Sequence, residues 1–247
     1  MGNINDHFFE GQYKEIWRTM IPEILTEREL DFMIPYFQLQ EGQRVLDLMC
    51  GYGRHALALA RKGIHVTAVD NLEAYTTEIK TIAAIENLPV EVVQADIVGY
   101  VPSGQYELAI CMGNSLNFFN RSDLQQILHH VAAALIPGAA LLINSWSIAE
   151  IVFHKFKTDS DGKVGESGMK TRQEILFRPA RIEAETEFTA ADGSIEIKKG
   201  IDYIYSLNEI EAMLNEAGLA LEEVYSIPGR KPFTLGEPRA YLVARKK

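Results

Sequence analysis

Cysteine is scarce in this chain, with two in 247 residues, Cys50 and Cys111. Each closes an apolar run, so the pair reads as two buried thiols of a reducing compartment rather than a disulfide or metal framework. Positive charge is also in short supply. Lys and Arg number 24 against 34 Asp and Glu, a net charge of −10. An acidic surface repels phosphate backbones, so nucleic acid is not an expected partner. No apolar run is long enough for a bilayer: the longest, 132–143, is broken by Pro137-Gly138, and no membrane association is expected. The opening MGNINDHFFE has no basic stretch followed by an apolar one, so no secretory leader is expected. Repeats and low-complexity tracts are missing too. These absences point to a cytoplasmic protein, monomer or homodimer, of one domain with a substantial core.

What is present is a rhythm. Residues 7–38 carry aromatic and aliphatic side chains at helical spacing, punctuated by Pro22 and Pro35, and predict two or three short helices. From residue 43 strands and helices alternate. Arg44–Met49, Ile64–Val69, Val90–Gln94, Tyr106–Met112 and Ala139–Asn144 read as strands. Helices are expected over Ala56–Lys62, Glu73–Glu86 and from a Ser122 or Asp123 cap to Leu135, with Pro137-Gly138 as a turn. Short buried strands alternating with helices imply a doubly wound, mostly parallel sheet covered on both faces. After residue 150 the segments Arg172–Phe177, Arg181–Thr189 and Ile195–Ile204 alternate with a period of two. Asp192-Gly193 signals a hairpin, and Asp161-Gly162 is read as a second turn. A helix capped by Ser206 and two closing strands, Leu219–Tyr225 and Arg239–Ala244, bring the main sheet to seven strands. The expected division is a helical lid (1–41), a core (42–147), an antiparallel insertion (148–205) and a closing segment (206–247).

The informative stretch is Asp47-Leu48-Met49-Cys50-Gly51-Tyr52-Gly53-Arg54-His55-Ala56, between a strand and a helix. Glycines allow a sharp turn and close approach of a ligand, and the open ends of such strands are where ligands bind. Gly51-x-Gly53-x-x-Ala56 also fits a dinucleotide fingerprint. Asp47 argues against pyrophosphate there, because its carboxylate repels phosphate and suits a ligand carrying an ammonium and a sulfonium. Asp70 ends the second strand, where an acid can accept hydrogen bonds from ribose hydroxyls. Asp96 follows the third, where it can accept from an adenine amino group while Ile97 packs on the ring. A lone strand-end aspartate is ordinarily a cap or a solvated loop residue; three at successive strand ends beside the glycines point to a site.

VLDLMCGYGRHALALA, VTAVD at 66–70 and QADI at 94–97 resemble the class I S-adenosylmethionine-dependent methyltransferases, whose sheet is Rossmann-like. The segments YKEIWRTMIPEILTERELDFMIPYF, GNSLNFF and IDYIYSLNEIEAMLNEAGL resemble a bacterial subgroup of small-molecule enzymes. The resemblance implies S-adenosyl-L-methionine as cofactor. It implies that Asp47, Gly51 and Gly53, with Cys50, line its methionine moiety and that Asp70, with Asn71, holds the ribose. Asp96 and Ile97 would hold the adenine, Met112 and Gly113 would contact the methionine end, and Tyr13 and Trp17 would close over it. The family usually has a small residue where this chain has Met49, which narrows the approach to the amino-acid end.

Methyl transfer by in-line displacement needs orientation more than a nucleophile in the enzyme, so no obligatory catalytic motif is expected. An amine acceptor gives up its proton to water or a nearby base, and a hydroxyl needs a base more strongly. Asn114, Asn117 and Phe118 follow the fourth strand and are candidates to face a small-molecule acceptor, as is His154 at the start of the insertion. His129, His130, Tyr203 and Tyr205 are read as surface or packing residues. An NAD-linked oxidoreductase and a non-catalytic S-adenosylmethionine-binding protein remain open. Base methylation is disfavoured, since Met112-Gly113-Asn114-Ser115 lacks the Asn/Asp-Pro-Pro-aromatic pattern.

Overall fold

The strands that alternate with helices are buried on both faces, and this is why they read as continuous apolar runs. β1 (Arg44–Leu48), β2 (His65–Asp70), β4 (Tyr106–Cys111) and β5 (Leu135–Ser145) contribute fully buried Val45, Leu46, Val69, Leu108, Ile110 and Ile143. The computed structural model describes residues 3–11, 13–164, 167–190 and 192–247.

α1 (Tyr13–Met20) and α2 (Glu23–Tyr36) precede β1, and α3 (Arg54–Ala60), α4 (Glu73–Glu86) and α5 (Arg121–Ala134) link the strands that follow, β3 (Val90–Gln94) among them. The main sheet has the order β11-β10-β12-β5-β4-β1-β2-β3. β1 to β5 pair in parallel, whereas β12 (Ala240–Lys246) runs antiparallel to β5 and to β10 (Leu219–Ile227). The seven expected strands are present, extended at one edge by the two-residue β11 (Lys231–Pro232). α5 and α7 (Leu207–Glu216) pack one face of this sheet, and α2 and α3 the other. β1 has β2 on one side and β4 on the other, so the connections diverge there and open a crevice at the carboxyl ends of these strands.

Several boundaries differ from the sequence reading. The α5 cap is Asn120, whose Oδ1 accepts the Ser122 and Asp123 amides at 2.9 and 3.1 Å; only Asn120 has the extended backbone and the reach that a cap requires. Pro137-Gly138 is a bulge within β5 rather than a turn before it. The register steps from Tyr106↔Leu135 to Leu108↔Ala140, with Gly138 at a φ of 78°. α3 begins at Arg54, directly on the glycine turn.

After β5 comes α6 (Ala149–Lys155), which the periodicity reading passed over, then a second sheet of order β6-β7-β8-β9. Its strands are β6 (Asp159–Val164), β7 (Ser167–Phe177), β8 (Ala180–Thr189) and β9 (Ile195–Tyr203), all antiparallel. Asp161 and Gly162 lie inside β6, paired with Lys170 and Met169, and are not a turn; the link at 165–166 is outside the described residues. The expected Asp192-Gly193 turn is formed, with the Gly193 amide donating to Ala190 O at 2.9 Å. The edge of β9 is closed by a side chain. Asn5 donates to Ile201 O and accepts from Ile201 N, both at 2.8 Å, occupying backbone groups that an open edge strand would expose.

Candidate active site

Three of the five residues from Met49 to Gly53 have left-handed backbone: Met49 (φ 53°), Gly51 (φ 55°) and Gly53 (φ 77°). This folds the chain back from β1 into α3 within one tight turn. For Met49 the conformation costs about 1–2 kcal/mol, offset by packing of its side chain against the cluster under α5. The Cys50 amide donates to Val69 O at 3.0 Å, the Gly53 amide to Cys50 O at 3.0 Å, and the Gly51 amide to Asp70 Oδ2 at 2.8 Å. The turn is thereby tied to the end of β2.

The two glycines have different reasons. A Cβ on Gly53 would sit 2.6 Å from Ile79 Cγ1, so this residue lets α4 approach. A Cβ on Gly51 would meet nothing within 4 Å, because that side faces a cavity. About 1030 Å³ of space, open solvent included, lies within its walls.

Asp47 lies on the cavity wall, 2% exposed, and its Oδ2 has no hydrogen-bond partner among the described residues. Burial pushes its carboxyl up to about 7; Arg54 and the Ala56 amide pull it down and Asp70 pushes it up. An orphaned, buried carboxylate oxygen carries a desolvation penalty that a cationic ligand would relieve. Asp70 is also raised, chiefly by burial, against the Leu72, Gly51 and Asn71 amides that hold it down. Asp96 is exposed on the rim and accepts the Val98 amide at 3.0 Å, with Ile97 buried beside it.

A lid covers this space. Tyr13 and Trp17 of α1 stack with centroids 6.0 Å apart, and Trp17 lies over Gly113. Glu78 of α4 accepts Lys14 Nζ at 2.7 Å and Arg18 Nη2 at 2.5 Å. The Arg18 guanidinium also sits 4.8 Å from the centre of the Tyr52 ring. Asn71 donates to Asp6 Oδ1 at 2.7 Å, and Tyr75 to Phe9 O at 3.0 Å. The N-terminal segment is thus fastened to the loops that frame the crevice.

Residues 45–138 match the family model described as "Methyltransferase domain". The chain is 29% identical over 176 residues to carboxy-S-adenosyl-L-methionine synthase of Erwinia tasmaniensis, covering 64% of this chain and 71% of that protein. It is 27% identical over 217 residues to the putative methyltransferase YqeM of Bacillus subtilis, 82% of this chain and 81% of that one. Among solved structures, an S-adenosylmethionine-dependent methyltransferase from Clostridium acetobutylicum superposes with a TM-score of 0.82 at 17% identity, covering 95% and 96% of the two chains. The sugar N-methyltransferase KedS8 from Streptoalloteichus superposes at 0.65 with 17% identity, covering 100% and 94%. Residues 45–138 thus match a methyltransferase domain, and the chain as a whole shares the fold of S-adenosylmethionine-dependent methyltransferases.

The fold gathers most of the sequence-selected residues on one cavity. Tyr13, Trp17, Asp47, Cys50, Gly51, Asp70, Asn71, Asp96, Ile97, Met112, Gly113 and Phe118 all line it, and so does Met49. Gly53 does not, for the packing reason above. Asn114 and Asn117 do not face the cavity either. Asn114 Oδ1 accepts from Ser145 Oγ and the Trp146 and Ser147 amides at 3.1, 2.9 and 2.9 Å, while Nδ2 donates to Ser147 Oγ and Asp202 at 2.9 and 3.1 Å. Asn117 is fully buried and bonds to Ser147 O, Tyr203 O and Ser145 Oγ. Both amides stitch the insertion to β5, and their hydrogen-bonding capacity is used internally. His154 is exposed on α6, away from the cavity and against Gly236. Tyr205 packs as expected, donating to Phe119 O at 2.8 Å. Both cysteines are free thiols, Cys111 buried and Cys50 on the cavity wall.

The sequence reading overlooked Arg54 and His55, which also line the cavity. Their signal was an arginine and a histidine opening an otherwise apolar helix. It also overlooked Glu29, buried on α2 with 3% exposure, which accepts from both of them. Burial would raise Glu29, but hydrogen bonds and charge from His55 and Arg54 outweigh it and hold the carboxyl down; burial and Arg54 hold His55 neutral. Among the described residues no group of three or more His, Cys, Asp or Glu is placed to hold a metal ion.

Proposed function

We propose that this methyltransferase transfers the methyl group of S-adenosyl-L-methionine to a nitrogen or oxygen of a small molecule by in-line displacement. The observation that carries the reading is the unpartnered, buried Asp47 oxygen at a glycine turn whose Cβ-free side opens into the cavity. A pyrophosphate would meet Asp47, Asp70 and Asp96 together and be repelled. A ligand with an α-ammonium and a sulfonium is attracted by the same set.

In this reading Asp47 takes the ammonium and Asp70 the ribose hydroxyls. The Asp70 oxygens already accept the Gly51 and Leu72 amides at 2.8 and 3.0 Å, and each keeps a second lone pair for a hydroxyl. Asp96 and Ile97 take the adenine, the Met112-Gly113 backbone lies along the methionine end, and Tyr13 and Trp17 cover it. The cofactor supplies a methyl group activated on a cationic sulfur. The protein orients the acceptor and excludes water. The acceptor lone pair forms the new bond to the methyl carbon as the carbon–sulfur bond breaks, and the acceptor proton passes to water or a base.

A small acceptor is supported by the lid, since residues 3–11 and 13–17 are fastened beside and over the crevice. The sugar N-methyltransferase likeness and the net charge of −10 agree with this. No helix among the described residues is long and apolar enough to cross a membrane, and two free thiols suit the cytoplasm.

Titration calorimetry with S-adenosylhomocysteine and with NAD, followed by transfer of labelled methyl from S-adenosyl-L-methionine into a whole-cell lysate, tests the proposal. Binding of the first ligand and label in a low-mass product are expected. Label confined to protein or nucleic acid would overturn the small-molecule acceptor, and binding of NAD alone would overturn the chemistry.

A further inference from the structure

Asp202 is a carboxylate for which the cofactor has no use. It stands half-buried on β9, where the insertion meets the end of β5. Its Oδ2 accepts Ser147 Oγ at 2.7 Å and Asn114 Nδ2 at 3.1 Å. Its Oδ1 makes no hydrogen bond with a described residue, and no described cationic side chain offsets its charge. Burial pushes the carboxyl up to about 6, against the Ser147 and Asn114 bonds that pull it down. A carboxylate set in this way gains from a cationic partner or from a proton.

Its surroundings are aromatic. Tyr13 and Trp17 stack at 6.0 Å, and the ring of Trp146, just beyond β5, is centred 5.9 Å from that of Trp17. Asn114 holds both sides of this corner, accepting the Trp146 amide at 2.9 Å and donating to Asp202. Burial, Tyr75 and the Asp202 charge keep the Tyr13 hydroxyl protonated, so the carboxylate is within electrostatic reach of the lid. Trp17 in turn covers Gly113, its Cζ2 3.8 Å from where a Cβ would sit. One anion and two indoles thus gather beside Gly113. Indole faces attract cations, and a neutral alcohol gains from neither the rings nor the charge.

We propose that Asp202, with Trp17 and Trp146, binds the methyl acceptor, and that the acceptor is a primary or secondary aliphatic amine. The proposal rests on the reading that the methionine end of the cofactor lies along Met112-Gly113. The amine enters as its ammonium, held by Asp202 and the indole faces. One proton passes from nitrogen to Asp202 Oδ1. The freed lone pair forms the bond to the methyl carbon as the carbon–sulfur bond breaks, and that bonding pair stays on sulfur. The product leaves as the N-methylated ammonium, and the proton on Asp202 returns to water. A carboxyl near 6 takes the proton more readily than an ordinary carboxylate does.

Transfer of labelled methyl into the low-mass fraction of a whole-cell lysate, untreated and after acetylation of its amines, tests the acceptor class. A labelled product retained by cation exchange is expected from the first, and none from the second. Label that survives acetylation overturns the amine and leaves small-molecule methyl transfer standing. No low-mass label from either overturns the function on which the proposal rests. Asp202→Asn keeps an oxygen for Ser147 and Asn114; it should slow transfer about a hundredfold with S-adenosylhomocysteine affinity within about threefold. The recovered methylated amine is then titrated into the S-adenosylhomocysteine complex by fluorescence, which reads this site because Trp17 and Trp146 are the chain's two tryptophans. Asp202→Asn should weaken that binding about tenfold. Trp146→Leu leaves the bonds to Asp202 in place, should weaken it about fivefold, and carries the test if Asp202→Asn does not fold. Unchanged affinity for the amine in either folded variant overturns the site.

Discussion

The amide of Gly51 donates to Asp70 Oδ2 at 2.8 Å, so the carboxylate that ends β2 holds the turn that follows β1. Its other oxygen accepts the Leu72 amide at 3.0 Å, which fixes the entry into α4. One side chain thus shapes two loops of the crevice while remaining on its wall.

Asp70→Ala is therefore expected to act twice. Loss of the two amide bonds should lower stability by about 1–3 kcal/mol, and S-adenosylhomocysteine affinity should fall about tenfold or more. Denaturant unfolding and calorimetry separate the two effects. An unchanged dissociation constant removes Asp70 from the ligand site.

Asp47 gives a pH signature. Burial raises its carboxyl to about 7, above the unfolded value, so the free folded protein holds this proton more tightly than the unfolded chain. Its contribution to stability falls as pH rises from about 4 through 7. A cationic ligand favours the ionised form. Binding near pH 6 should then release about one proton per site, and near pH 8 almost none. Affinity should drop as pH falls below 7. Calorimetry in buffers of different ionisation heat reads the proton count, and Asp47→Asn should abolish it.

Gly51 and Gly53 should separate binding from folding. Gly53→Ala drives a Cβ to 2.6 Å from Ile79 at a φ of 77° and is expected to cost about 2–5 kcal/mol. Gly51→Ala meets no protein atom within 4 Å. It should cost only about 1–2 kcal/mol of stability while obstructing S-adenosylhomocysteine. Melting temperatures and binding constants on the two variants should fall in opposite order; equal effects would contradict the distinction.

Asn114→Ala should behave as a core mutation. It removes the Trp146 amide's acceptor and one of two partners of the Ser147 amide and of Asp202, which keep Ser145 Oγ and Ser147 Oγ, at a cost of about 2–4 kcal/mol. Cofactor affinity measured well below the melting temperature should stay within about threefold. A large loss of affinity in a fully folded variant would return Asn114 to the site.

The cavity wall was legible where chemistry sits at strand ends. Asp47, Asp70 and Asp96 could be picked out because each follows an apolar run at the open end of a parallel strand, a place that topology reserves for ligands. Asn114 and Asn117 followed β4 in the same way but turned inward. Their role depends on Ser147 just beyond β5 and on Tyr203 and Asp202 arriving from the insertion, contacts that no local pattern encodes. Glu29 was invisible for the same reason, since a single acid on α2 acquires meaning only when Arg54, His55 and Tyr241 converge on it.

The residue pattern alone determined a parallel α/β sheet, an antiparallel insertion and a glycine turn flanked by acids, because period and turn chemistry act over a few residues. Tertiary structure decided which amides are structural, why Gly51 and Gly53 differ, that Met49 tolerates a left-handed backbone, and that Arg54 stands clamped beside Asp47. Those outcomes depend on groups distant in sequence sharing a few ångströms, where burial and unmet hydrogen bonds set their roles.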